Sequence, residues 1–160
     1  MGLNTARRIT VNFLSLFTGE AASRLLQLLI FIFLARSLGK EDFGIFSFSF
    51  AFGFLFMIIA DFGLGILLVR EISRDKSSAS KYLFNGAAIK SLLAILSFAL
   101  AALFLNIMGY SAKIKTVAYI MLLFAAMQSF TELHYVIFRA FERMYYEMGI
   151  KLLRMLLLAA

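Results

Sequence analysis

Four stretches of this 160-residue chain, at roughly 11–35, 43–69, 82–108 and 114–138, each run on with no more than two charged side chains apiece. A bilayer core takes about 20 mainly apolar residues as a helix, and a backbone crossing it must satisfy its own hydrogen bonds. The expected fold class is therefore all-α, a polytopic transmembrane helix bundle of four complete spans. A fifth apolar run opens near Gly149 and reaches Ala160, so a partial span is expected over 149–160. The composition excludes an ordinary soluble domain: 62% of the residues are hydrophobic and 16% charged, against about 45–50% and about 25% in soluble domains. Side chains like these cannot cover the surface such a domain leaves in water, so lipid is the expected solvent and partner.

The first apolar run follows Arg7 and Arg8 but is far longer than the h-region of a signal peptide, and no small-residue cleavage pattern follows it. It reads as a retained helix. The connections set the orientation. Nine basic residues (Arg7, Arg8, Arg70, Arg74, Lys76, Lys81, Arg139, Arg143 and Lys151) fall on one side and four (Arg36, Lys40, Lys113 and Lys115) on the other. The amino terminus is expected in the cytoplasm, in a multi-pass protein of the cytoplasmic membrane. Basic residues dispersed at helix ends account for the net charge of +7 without a nucleic-acid partner. With no Trp, tyrosines (Tyr82, Tyr110, Tyr135, Tyr145 and Tyr146) mark the predicted span ends. The stretch Arg139 to Lys151 alternates apolar and charged residues at helical spacing and predicts an interfacial cytoplasmic helix leading into the fifth run.

An ionisable group at membrane depth costs about 2.5–3.5 kcal/mol on insertion scales, so each one asks for a reason. In the first span Glu20, Ser23, Arg24 and Gln27 share one helix face, with Glu20 one turn before Arg24 in the favourable order for an ion pair. Two readings stand: a neutralised pair packed inside the bundle, or a polar cavity wall that contacts substrate or a coupling ion. Lys90 lies about 12 Å into the third span on a small-residue face with Gly86, Ala87, Ala94, Ser97 and Ala101. It either snorkels to the interface or lines a wet cavity. In the fourth span Gln128, Thr131, Glu132, Tyr135 and Arg139 form one stripe, with His134 off it, a weak candidate for a proton relay. Asp61 precedes Phe62-Gly63-Leu64-Gly65, where two glycines and a capping Asp predict a kink or broken helix.

Catalytic patterns are absent from the sequence. There is no Cys, no HExxH, no GxSxG and no Walker loop, and Asp61-Phe62-Gly63 stands without the other kinase motifs. No enzyme activity, metal or cofactor is expected.

Three segments carry a resemblance: LARSLGKEDFGIFSF over Leu34–Phe48, ADFGLGILLVREISRD over Ala60–Asp75, and FRAFERMYYEMG over Phe138–Gly149. In order and spacing they resemble the amino-terminal third of polysaccharide and O-antigen flippases, within the multidrug, oligosaccharidyl-lipid and polysaccharide exporter superfamily. The resemblance implies an all-helical transporter of two pseudo-symmetric bundles that moves a lipid-linked oligosaccharide between leaflets by alternating access. Such repeats place substrate at their interface. A polyprenyl diphosphate carries negative charge, so Arg24 and Lys90, with Gln27, are the expected substrate contacts, and Glu20, Asp61 and Glu132 the expected coupling or ion-pair groups. Family members have about a dozen spans or more, so this chain is expected to act as a fragment, with further carboxy-terminal helices or another copy as partner. Three alternatives remain: a multidrug or cation exporter relying on Glu20 and Asp61, a small four-span exporter acting as a dimer, and a non-transporting membrane fragment or assembly partner.

Overall fold

The computed structural model describes the backbone of residues 2–159 and the side chains of residues 10, 12–14 and 16–153. Arg7 and Arg8 of the charge count, and the side chains of 154–160 in the fifth run, lie outside these described side chains. The described residues form helices and one short 3₁₀ turn, in the order α1 (Gly2–Asp61), α2 (Leu64–Arg74), the 3₁₀ turn (Lys76–Ser78), α3 (Ala79–Ile107), α4 (Ala112–Ala140) and α5 (Met144–Ala159). The all-α membrane-type fold holds. Three stretches are long and apolar enough to cross a bilayer: Asn12–Arg74, Lys76–Ile107 and Ala112–Ala140.

The first of these holds more than one bilayer length and is interrupted twice. Gly39 leaves the helical region at φ 74° and ψ 174°, a conformation that costs least without a Cβ. Arg36 stands in the last turn before this break and Glu41 and Asp42 in the first turn after it, each charge placed as the helix dipole favours. The segment 40–61 is about 33 Å long, one membrane crossing. It ends where Phe62 (φ 28°) and Gly63 (φ 77°) both turn left-handed, so the broken helix expected at Asp61 is present. The carboxylate of Asp61 is not its cap, however: the N-cap of α2 is Gly63, with no side-chain hydrogen bond.

The chain forms two compact units, Leu38–Ile137 and Met1–Ser37 with Phe138–Ala160. The unit Leu38–Ile137 is built from the 40–61 helix, α2, α3 and α4. Its core joins Phe52, Met57 and Ala60 to Ala94, Ala101 and Leu105 of α3 and to Ala118, Leu122, Ala125 and Ala126 of α4. The alternating sequence FSFSFAFGFLF over Phe46–Phe56 becomes, on a helix, two ridges at i,i+4 spacing. One ridge, Phe48–Phe52–Phe56, meets Phe104 of α3 with ring centroids 5.8 and 6.2 Å apart. The other, Phe46–Phe50–Phe54, meets Phe124 of α4 at 6.4 Å. Between the ridges Gly53 lets the 40–61 helix touch the backbone of α4: a Cβ there would lie 2.9 Å from the carbonyl carbon and oxygen of Met121. Small residues allow this approach where lipid supplies no hydrophobic drive between helices. Leu55, Ile58, Leu92 and Ile95 face outward, as lipid-solvated side chains do.

The buried stripe of α3 is Gly86, Lys90, Ala94, Ser97, Ala101 and Leu105, which is the small-residue face read from the sequence. Leu68 of α2 seats against Gly86, whose missing Cβ leaves room for the leucine methyls.

In the other unit, the helix before Ser37 packs against α5. Gly19 is buried, and a Cβ on it would lie 3.6 Å from Met148 Cα. Asn12 donates from Nδ2 to the Glu142 carbonyl at 3.1 Å. Between α4 and α5 the chain makes a Schellman stop: Arg143 N–H donates to Phe138 O at 2.8 Å, Glu142 N–H donates to Arg139 O at 3.1 Å, and Glu142 takes φ 56°. The stretch expected as one interfacial helix over Arg139 to Lys151 is thus divided at 141–143. The left-handed Glu142 ends α4 before α5 begins.

Candidate functional site: paired charges at membrane depth

Asp61, the last residue of the helix that begins after Gly39, carries the central contact of the unit Leu38–Ile137. Lys90 Nζ from α3 lies 2.6 Å from Asp61 Oδ1, and Ser129 from α4 donates its Oγ proton to the same oxygen at 2.6 Å. The Lys90 side chain is 5% exposed and that of Asp61 51%. Lys90 therefore neither snorkels outward nor presents a free cation: its charge is spent on Asp61. The position is favourable for a cation because the carbonyls that end a helix concentrate partial negative charge there. One carboxylate oxygen thus ties together the helix break, α3 and α4.

The unit Met1–Ser37 with Phe138–Ala160 holds a longer chain of charges. Arg24 Nε donates to Glu20 Oε1 at 2.9 Å, the intrahelical pair expected from their spacing. Glu20 Oε2 also faces Lys151 Nζ at 3.4 Å, and Lys151 lies 2.9 Å from Glu147 Oε1. Glu147 in turn accepts two hydrogen bonds from Arg139, Nε to Oε2 at 2.9 Å and Nη2 to Oε1 at 2.6 Å. Signs alternate along the series Arg24, Glu20, Lys151, Glu147, Arg139, with three cations against two carboxylates. Glu147 is 1% exposed and Arg24 is 73% exposed, so the buried end is neutralised and a cation stands at the open end. Ser23 donates to the Gly19 carbonyl at 2.8 Å. Gln27 is half-buried and makes no hydrogen bond among the described residues.

Two further expected residues, Glu132 and His134, stand on α4. Glu132 is half-buried on α4. His134 is exposed, with Nδ1 2.9 Å from the Phe130 carbonyl, which places the proton on Nδ1 and makes the ring a local helix contact. Arg24 and Lys90, expected together as substrate contacts, belong to different compact units, and each has its own carboxylate. At the start of α4 Lys113 donates from Nζ to Asp42 Oδ1 at 2.5 Å. Ser77 donates from its hydroxyl and its amide to Asp75 Oδ1, and the hydroxyl bond is the chief cause of the lowered pKa of that carboxyl.

Sequence reasoning missed Ser129, Glu147 and Lys151 as members of these clusters. Glu147 and Lys151 do carry a local signal, since Glu precedes Lys by four residues on one helix face. Ser129 carries none, because serine at membrane depth is too common to single out.

A membrane bundle with neutralised charges in its spans fits many transport proteins, and comparison with known families narrows it. Residues 9–159 match the family model described as polysaccharide biosynthesis protein. The chain belongs to that family. No curated protein matches it, and no solved structure does. As a member of the polysaccharide biosynthesis protein family with several bilayer-length apolar helices, it is a membrane protein of polysaccharide assembly. The matched range contains both charge clusters.

Proposed function

We propose that this chain supplies amino-terminal helices of a flippase that carries a polyprenyl diphosphate-linked oligosaccharide across the cytoplasmic membrane by alternating access. The observation that carries the reading is Arg24, a cation in the middle of the first span whose side chain is 73% exposed while Glu20, which also faces Lys151, holds its position. A guanidinium at that depth suits phosphate oxygens, which it can engage through two parallel N–H bonds. Gln27, one turn further along the same face and half-buried, adds an amide donor. Glu20 orients Arg24 and keeps the net charge of the series low in the absence of substrate. Lys90 is not a direct contact, because Asp61 neutralises it. The process is binding and conformational exchange, with no covalent step. Substrate enters from the cytoplasmic side, where the amino terminus lies.

The cation-exporter alternative is less well supported. It needs carboxylates free to take an ion, whereas Glu20 and Asp61 are each paired with a basic side chain.

The test uses the complete transporter in proteoliposomes with a lipid-linked oligosaccharide. Arg24→Ala is expected to abolish translocation and Arg24→Lys to keep part of it. Removing Arg24 also leaves Glu20 without its nearest partner, so the double variant Glu20→Gln with Arg24→Gln separates charge contact from stability. A well-expressed double variant that translocates at the native rate overturns the proposal.

A further inference from the structure

Around Lys90 Nζ the chain gathers what a small monovalent cation needs. The Asp61 carboxylate is 2.6 Å away, and its Oδ1 also accepts the Ser129 hydroxyl. Asp61 is the last residue of the 40–61 helix, and a helix carboxyl end favours positive charge. The ammonium head of lysine is close in size and charge to a potassium or ammonium ion, and oxygen ligands suit both. The Lys90 side chain is nine-tenths buried and reaches this oxygen group from α3. Its stripe neighbours Gly86 and Ala94 contribute no polar side-chain atom.

We infer that the Asp61 carboxylate, held by Ser129, forms a monovalent-cation site whose occupant in the native chain is the tethered ammonium of Lys90. The consequence differs from an ordinary ion pair. Two partners matched only to each other lose their interaction when one is removed, and no salt restores it specifically. A cation site emptied by truncating Lys90 takes a free ion of the right charge and size. The native unit thus carries its own counter-ion at the break and needs none from solution there. The inference stands apart from the proposed transport activity, since it concerns what the site binds and can be read on this chain without substrate.

Lys90→Ala removes the tethered charge and leaves its space open. The 160-residue chain in detergent micelles is followed by circular dichroism on heating, in sodium, potassium, ammonium, methylammonium or choline chloride at one ionic strength. Choline is too large for the space left by the lysine head and controls for screening. At ten times the dissociation constant, a cation bound to the folded state raises Tm by about 3–6 °C. Lys90→Ala is expected to show such a rise in at least one of the small cations over choline, and the native chain none. Lys90→Met fills the space without charge and is expected not to respond. Asp61→Asn added to Lys90→Ala is expected to abolish the response. An equal rise in choline, a response that survives Asp61→Asn, or no response to any small cation overturns the inference. Should Lys90→Ala fail to fold unaided, recovery of helical signal from sodium dodecyl sulfate is compared in methylammonium and choline. Selective recovery in methylammonium supports the site, and failure in both salts overturns it.

Discussion

Arg139 at the end of α4 and Glu147 in the first turn of α5 form a two-bond fork at 2.9 and 2.6 Å, spanning the left-handed stop at Glu142. The carboxylate has almost no solvent contact and is shared with Lys151. This fork accounts for three of the charges in the stretch, Arg139, Glu147 and Lys151, while Glu142 and Arg143 are exposed. It also determines how the start of α5 is held against the end of α4.

Glu147→Ala is expected to destabilise the chain by about 3 kcal/mol, because it leaves the Arg139 and Lys151 charges without the carboxylate that offsets their burial. Arg139→Lys should also weaken the contact, since an ammonium cannot reproduce the planar fork. Unfolding of both variants in mixed micelles measures the effect. A loss below about 1 kcal/mol for Glu147→Ala, the range of exposed pairs, counts against the fork as a structural tie.

Two glycines predict opposite outcomes for one added methyl. At Gly53 the new Cβ meets backbone atoms of Met121 at 2.9 Å, atoms that cannot move aside as a side-chain tip can, so Gly53→Ala should cost about 1–3 kcal/mol. At Gly65, inside α2, nothing lies within 4 Å, and Gly65→Ala should add about 0.4–1 kcal/mol by restricting the unfolded chain. Equal Tm values for the two variants would contradict this account of the helix crossing.

The Asp75 turn is expected to loosen in acid. Hydrogen bonds, led by that from the Ser77 side chain, lower the pKa of this carboxyl in the folded chain. Its contribution is therefore complete above the unfolded carboxyl value, about 3.9, and is lost as pH falls through the lower folded value. Amide exchange at Ser77, corrected for its intrinsic pH dependence, should speed up over that acid range in the native chain. In Asp75→Ala it should already be fast at neutral pH. Protection that persists in Asp75→Ala would show that the carboxylate does not hold the turn.

The basic residues of the connections predict which side each one faces. The chain has no cysteine, so single cysteines at Ser77 and Lys40 can be labelled in intact cells with an impermeant thiol reagent. Labelling is expected at Lys40→Cys and not at Ser77→Cys, and the reverse pattern would overturn a cytoplasmic amino terminus.

Much of the helical framework is legible in the residue order, because in lipid a long apolar run has helix as its only economical conformation. The sequence alone determined the helical class, the break between Asp61 and Gly65, and the Glu20–Arg24 pair. Each depends on residues within about one helical turn of one another, so local geometry suffices. The tertiary structure decided which charges neutralise which. Lys90 meets a carboxylate 29 positions earlier in the chain, and Ser129 reaches the same oxygen from 68 positions away. Glu20 meets Lys151 from 131 positions away. Such partners depend on how far each helix slides along its neighbour and on the faces they turn to one another. Contacts such as Gly53 on Met121 and Gly19 on Met148 set that register, and no local pattern encodes the sum of such packing contacts.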